Sequence, residues 1–261
     1  MKALQIAATG MSAQQMRVDV VSNNLANMST TAYNARRAEF ADLHYQQLAR
    51  PGTIAAADGT VLPAGVQTGL GVRPAAVSVL LAQGSLLQTS GDLDVAIDGG
   101  GYLEVVLPGG GAAYTRDGAL HRTADGLIVT AEGHEVVPGI VIPDDARSLS
   151  INAEGEVWAY FADRVQAERL GQFTLAGFTN EKGLEAIGSN LFVETEASGP
   201  AIQGTAGTDG LGSLRQGYLE ESSVDAVREI TELIKAQRGY ELNAKVITAA
   251  DQMLGATTQV R

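Results

Sequence analysis

A few residues in this 261-residue chain have types that could do chemistry. Asp92, Asp94 and Asp98, followed by Gly99, carry the oxygen donors of a calcium loop. Their spacing departs from such a loop, and the closing bidentate Glu is missing. Asp144 with Asp145, and Glu154 with Glu156, are acid pairs of the kind that cleave glycosidic bonds. Acids this close together also arise simply at the ends of solvated strands. Gly99, Gly100 and Gly101 open like a dinucleotide-binding loop, but Glu104 stands where its third glycine belongs, so a strand-to-strand turn is expected. His44, His121 and His134 show no ligand spacing. The chain has no cysteine, and neither G-x-S-x-G nor H-E-x-x-H occurs in it. The expectation is a protein with no catalytic residues, no metal and no cofactor. Asn27-Met28-Ser29 matches the glycosylation triplet, which chance supplies often.

The formal charge of −12 argues against nucleic acid and against anionic lipid as partners. That charge is uneven. Residues 1–45 sum to +1, residues 215–261 to −1, and residues 46–214 carry the whole −12. Neutral ends can be crowded together, while an acidic body is better left in water. No run of apolar residues is long enough to span a membrane. Gln5, Thr9, Gly10, Ser12, Gln14 and Gln15 interrupt the apolar centre a signal peptide needs, so export by a cleaved signal is not expected.

The elements that would position these residues fall into three kinds. Both ends read as helices with a seven-residue beat. At the N-terminus the rows are Leu4, Met11, Val18, Leu25 and Ala7, Gln14, Val21, Met28. At the C-terminus they are Leu233, Tyr240, Ile247, Leu254 and Ile230, Gln237, Ala244, Asp251. Ser222 or Ser223 is expected to cap the second helix, with Asp225 near its start. Gly239 lies inside it at a cost of about 1 kcal/mol relative to Ala, which points to a close helix approach or a bend.

From about Val72 to Gly217 the pattern is short β-like runs, including 113–116, 127–130, 149–151, 156–160 and 172–178. Asp-Gly pairs at 98–99, 117–118, 125–126 and 209–210 signal turns, those at 117–118 and 125–126 being expected hairpins. Residues 45–73, rich in Gly and Pro, read as a long arm without regular elements. The fold class is therefore α+β: two terminal helices paired as a coiled-coil-like domain, a mainly antiparallel β-domain and an extended arm. The expected boundaries are 1–45, 46–73, 74–217 and 218–261. The paired stripes of Leu4, Met11, Val18, Val21, Leu25, Met28, Ile230, Leu233, Tyr240, Ala244, Ile247 and Leu254 are candidates for self-assembly.

Ser22-Asn23-Asn24-Leu25-Ala26-Asn27 with Thr30, Thr31 and Tyr33 is similar to the N-terminal signature of the flagellar rod and hook protein family. Asp94-Val95-Ala96-Ile97-Asp98-Gly99 and Tyr114-Thr115-Arg116-Asp117-Gly118 resemble its central β signature. Gln216-Gly217-Tyr218-Leu219-Glu220, Gln237-Arg238-Gly239-Tyr240-Glu241 and Asp251-Gln252-Met253-Leu254 resemble its C-terminal one. Three positions depart from the pattern: Ala32 stands where the family has Gly, Asn34 where it has a basic residue, and Gly239 where Ala is common. The arm, with Arg50-Pro51-Gly52 and Leu62-Pro63-Ala64-Gly65, is closer to the distal rod branch than to the proximal rod or hook branches.

The resemblance implies a structural subunit of a rigid hollow shaft that carries torque from motor to hook. The helices would line an export channel, the β-domain would face outward, and the arm would lock neighbours. It also implies partners: further copies of the chain, proximal rod proteins, the hook protein or its junction, a ring bushing, and the flagellar type III export apparatus. The location would be the basal body, from periplasm to outer membrane, with no membrane insertion. The alternatives are a proximal rod or hook relative and, from another class, a rod-associated peptidoglycan hydrolase.

Overall fold

The computed structural model describes residues 2–49, 65–164 and 166–259. The chain divides into two compact units: Met1–Ala26 with Arg36–Ser78 and Asp225–Arg261, and Asn27–Ala35 with Val79–Val224.

The first unit is built on two antiparallel helices, α1 (Lys2–Ala26) and α2 (Ala226–Gln259). Helix α1 ends two residues earlier than its heptad beat suggests. Met28 lies beyond it in the turn Asn27–Thr30, where the Thr30 N–H donates to the Asn27 carbonyl, and its side chain is exposed. Asp225 caps α2: its carboxylate accepts the N–H groups of Val227 (3.0 Å) and Arg228 (3.2 Å). The expected Ser223 cap is not made, because the Ser223 hydroxyl accepts the Ala35 N–H instead.

The arm also differs from its reading at both described ends. Strand β1 (Arg36–Asp42) is followed by β2 (Tyr45–Ala49), which pairs antiparallel with β3 (Val66–Gly69), and β4 (Val72–Val79) returns to pair with β1. So residues 45–49, 66–69 and 72–73 form ladders rather than an element-free stretch. The Gly and Pro content that signalled a loop belongs mostly to the intervening residues, which lie outside the described ones. Gly71, at φ +114°, lets the chain run against α1, where the Thr9 hydroxyl accepts the Val72 N–H.

The second unit is antiparallel β throughout its pairings. Strands β5 (Leu86–Gln88) and β6 (Val95–Asp98) pair with Tyr218–Glu220 and Ser213–Gln216 near the unit's end. Strands β7 (Tyr102–Val106) and β8 (Ala112–Thr115) lie centrally in a nine-stranded sheet. Ala146–Ile151, Glu156–Phe161 and Glu168–Gln172 make a separate three-stranded sheet. Alternation along β7 serves two faces. Leu103 and Val105 enter the main core with Val95, Ile97, Ile128, Val157, Phe173 and Leu175, while Tyr102 joins Tyr114, Phe178 and Phe192 in an aromatic cluster.

Of the two expected Asp-Gly hairpins, only 125–126 joins its flanking strands: Leu120–Arg122 pairs with Ile128–Thr130 across it, and Gly126 takes φ +83°. At 117–118 the chain instead crosses over. β8 pairs with β7 and with Leu191–Val193, and the Gly118 carbonyl accepts the Val95 N–H. A Cβ on Gly118 would lie 1.6 Å from the Val95 carbonyl oxygen, so this glycine answers to a close backbone approach rather than to a hairpin turn.

Candidate functional site: the helix pair and a buried ion pair

Helix pairing starts from small residues. Ala7, Ala13 and Val21 of α1 and Ala236 and Ala250 of α2 are buried, and side chains this short let the backbones approach closely. Asn24, 1% exposed, ties the helix end to the strand that follows. Its side-chain amide donates to the Arg36 carbonyl (2.8 Å) and to Glu229 of α2 (3.2 Å), while its oxygen accepts the Arg36 N–H (2.9 Å). An Asn side chain has the donor and acceptor of a peptide group, so one residue here acts as a strand partner for β1.

The stripe residues divide between seam and surface. Leu4, Met11, Val18, Leu25, Leu233, Ala244 and Ile247 are half-buried and Val21 is buried. Ile230, Tyr240 and Leu254 are exposed, together with Val227, Ile234, Leu242, Val246 and Met253, which the seven-residue beat did not select. Among the other motif residues, Asn23, Gln237, Arg238 and Gln252 are exposed, and Asn27 is half-buried. Of the arm residues, Gly65 is half-buried; Arg50, Pro51, Gly52, Leu62 and Pro63 lie outside the described residues.

In the β unit three of the quoted motifs converge on one side chain. Arg116 donates through Nε and Nη2 to Glu220 (3.0 and 2.8 Å), through Nη1 to the Gly101 carbonyl (2.9 Å), and through Nη2 to the Gly99 carbonyl (3.0 Å). The other Glu220 oxygen accepts the Gly84 N–H (3.1 Å), and the Glu220 carbonyl accepts the Ala32 N–H (2.8 Å). Both side chains are buried, at 8% and 3% exposure. A buried pair this fully hydrogen-bonded fixes where four distant segments meet. The quoted motifs contain both residues, but nothing in the sequence paired them, because Arg116 and Glu220 are 104 residues apart.

Beside it, Tyr102 donates to Glu181 (3.3 Å). Burial first, then the Glu181 charge, pushes its phenol well above the usual tyrosine value. Tyr114 is raised as well, by burial and then by Glu104 and Glu194. On α2, the hydrogen bond from Lys235 holds the Glu232 carboxyl below its usual range.

Three of the acids with catalytic types are engaged structurally. Asp98 pairs with Arg215 (3.6 Å), Asp144 with Arg122, and Glu156 with Arg169 (3.1 Å) and the Trp158 indole (3.3 Å). Among the described residues no three His, Asp or Glu side chains gather as a metal site would require.

Three family profiles match the chain: "Flagella basal body rod protein" over residues 4–33, "Flagellar hook protein FlgE/F/G D1 domain" over 96–159, and "Flagellar basal body rod FlgEFG protein C-terminal" over 215–260. The flagellar basal-body rod protein FlgG of Caulobacter vibrioides is 50% identical over 261 residues, covering 100% of both chains. That of Agrobacterium fabrum is 47% identical, covering 97% of each. A solved Helicobacter pylori flagellar hook protein, FlgE2, aligns with 71% of this chain and 43% of its own at 15% identity; its TM-score of 0.24 carries no argument about the fold. End-to-end identity at this level, with the three profiles matched in order along the chain, places it in the flagellar basal-body rod protein family.

Proposed function

We propose that this protein is the structural subunit of the flagellar distal rod, polymerising into a stiff hollow shaft that carries torque between motor and hook. Its role is mechanical rather than catalytic. The observation that carries this reading is the outer face of α2. Val227, Ile230, Ile234, Leu242, Val246 and Met253 are 46–76% exposed along one helix, an apolar display that an isolated soluble chain has no reason to keep. Further copies of the chain cover it in the shaft, and proximal rod and hook proteins meet it at the two ends. The subunit travels through the flagellar export apparatus, and the acidic β unit faces the ring bushing.

Electron microscopy of the purified protein at high concentration tests this. Straight tubes are expected. Curved tubes would move the chain to the hook branch, and no polymer under any condition would overturn the reading.

A further inference from the structure

Helix α1 carries Gly10 and Gln14, and helix α2 carries Gly239 and Asn243, both glycine–amide pairs at the same four-residue step. The helices are antiparallel, so the pairs meet crosswise. A Cβ on Gly239 would lie 3.0 Å from Gln14 Cδ, and a Cβ on Gly10 would lie 2.9 Å from Asn243 Nδ2. Each amide therefore fills the gap left by the glycine opposite. The two halves are joined, because the Asn243 amide also donates to the Gly239 carbonyl (3.0 Å). A third contact keeps the same alignment: ten residues along each helix from Gln14 and Gly239 lie Asn24 and Glu229, which are hydrogen-bonded. Among the described residues the buried Gln14 carbonyl oxygen has no partner. An orphaned buried acceptor lowers stability, as does a glycine within a helix. Neither is needed to hold two helices together; both suit a device that selects one alignment over others.

We propose that this crossed amide–glycine pair locks α1 and α2 in a single register. A slip of one turn in one direction would set Gln14 against Asn243, amide on amide. A slip in the other would set Gly10 against Gly239, leaving a void, and would bring Gln14 to Lys235. Either way Asn24 would lose Glu229 and face Leu233 or Asp225. Packing of the short apolar residues alone tolerates such slips, because an apolar residue lies one turn away from each, Tyr240 from Ala236 and Val246 from Ala250. The lock belongs to the helix pair of the single chain and does not depend on the rod reading.

Two measurements on the full-length soluble protein test it. In the first, Gly239→Ala lowers the thermal midpoint, although helix propensity alone demands a rise; adding Gln14→Ala restores it. A rise in the single variant, or no recovery in the double, overturns the proposal. The second uses the absence of native cysteines. Ile6→Cys with Ile247→Cys sits in the observed register, and Ile6→Cys with Asp251→Cys sits one turn away. Under mild oxidation only the first pair closes in the native background, and both close once Gln14 and Asn243 are alanine. The same single product in both backgrounds, or closure of the slipped pair in the native one, overturns the lock.

Discussion

At the scale of single residues, the departures from the family pattern acquire reasons. Ala32 stands where the family resemblance implies glycine, and its φ of +53° is the left-handed conformation that glycine adopts without strain. The turn survives because the Ala32 N–H is held by the Glu220 carbonyl. Relieving the strain outweighs the extra freedom glycine brings to the unfolded chain, so Ala32→Gly raises stability by up to about 1 kcal/mol. Chemical denaturation measures this, and a clear loss would mean the turn is not strained. Tyr102 sets an alkaline limit. Its folded pKa is raised, so its contribution is fully present below about pH 10, the unfolded value, and is lost as pH climbs toward the folded one. Thermal midpoints between pH 9 and 11 should fall less steeply for Tyr102→Phe than for the native chain. Parallel slopes would show that the phenol does not drive the loss.

At the scale of elements, the helix ends were only half legible. The C-terminal beat pointed to a helix, and its cap falls on Asp225 because Ser223 is already bound to the Ala35 backbone. Asp225→Ala is expected to cost about 1 kcal/mol, against a few tenths for Ser222→Ala. Equal losses in urea unfolding would remove the cap assignment. The arm offers a larger lever. Strands β2 and β3 form a two-stranded ribbon with exposed Tyr45, Leu48 and Val66, and an isolated ribbon of that kind is marginal in water. An arm that locks neighbouring subunits, as the family resemblance implies, would set the stiffness of the polymer. Deleting residues 46–71 should give bent or irregular tubes in micrographs, whereas tubes as straight as before would sink that assignment. In the β unit, Arg116→Met leaves Glu220 buried without its cation and should cost about 3–5 kcal/mol. Arg116→Met with Glu220→Leu should recover part of that.

At the scale of the whole molecule, charge separates the two units more sharply than chain order did. Counted by unit, the helix-bearing one carries +2 and the β unit −14. Acidity thus marks the unit proposed to face water and the bushing, and near-neutrality marks the one proposed to crowd at the centre of the shaft. Ile234→Asp, on an exposed position of α2, should block polymerisation while leaving the circular dichroism of the soluble chain unchanged. A variant that still polymerises would remove this face from the contact. By itself the sequence determined the α+β class, the two terminal helices, the antiparallel β character of the middle and the family, because local periodicity and contiguous motifs carry that information along the chain. Only the tertiary structure decided which apolar residues of α2 face α1, why Gly10 and Gly239 are glycine, and that Arg116 meets Glu220. Each of those depends on residues at least a hundred positions apart, and nothing local to either partner records the approach of the other.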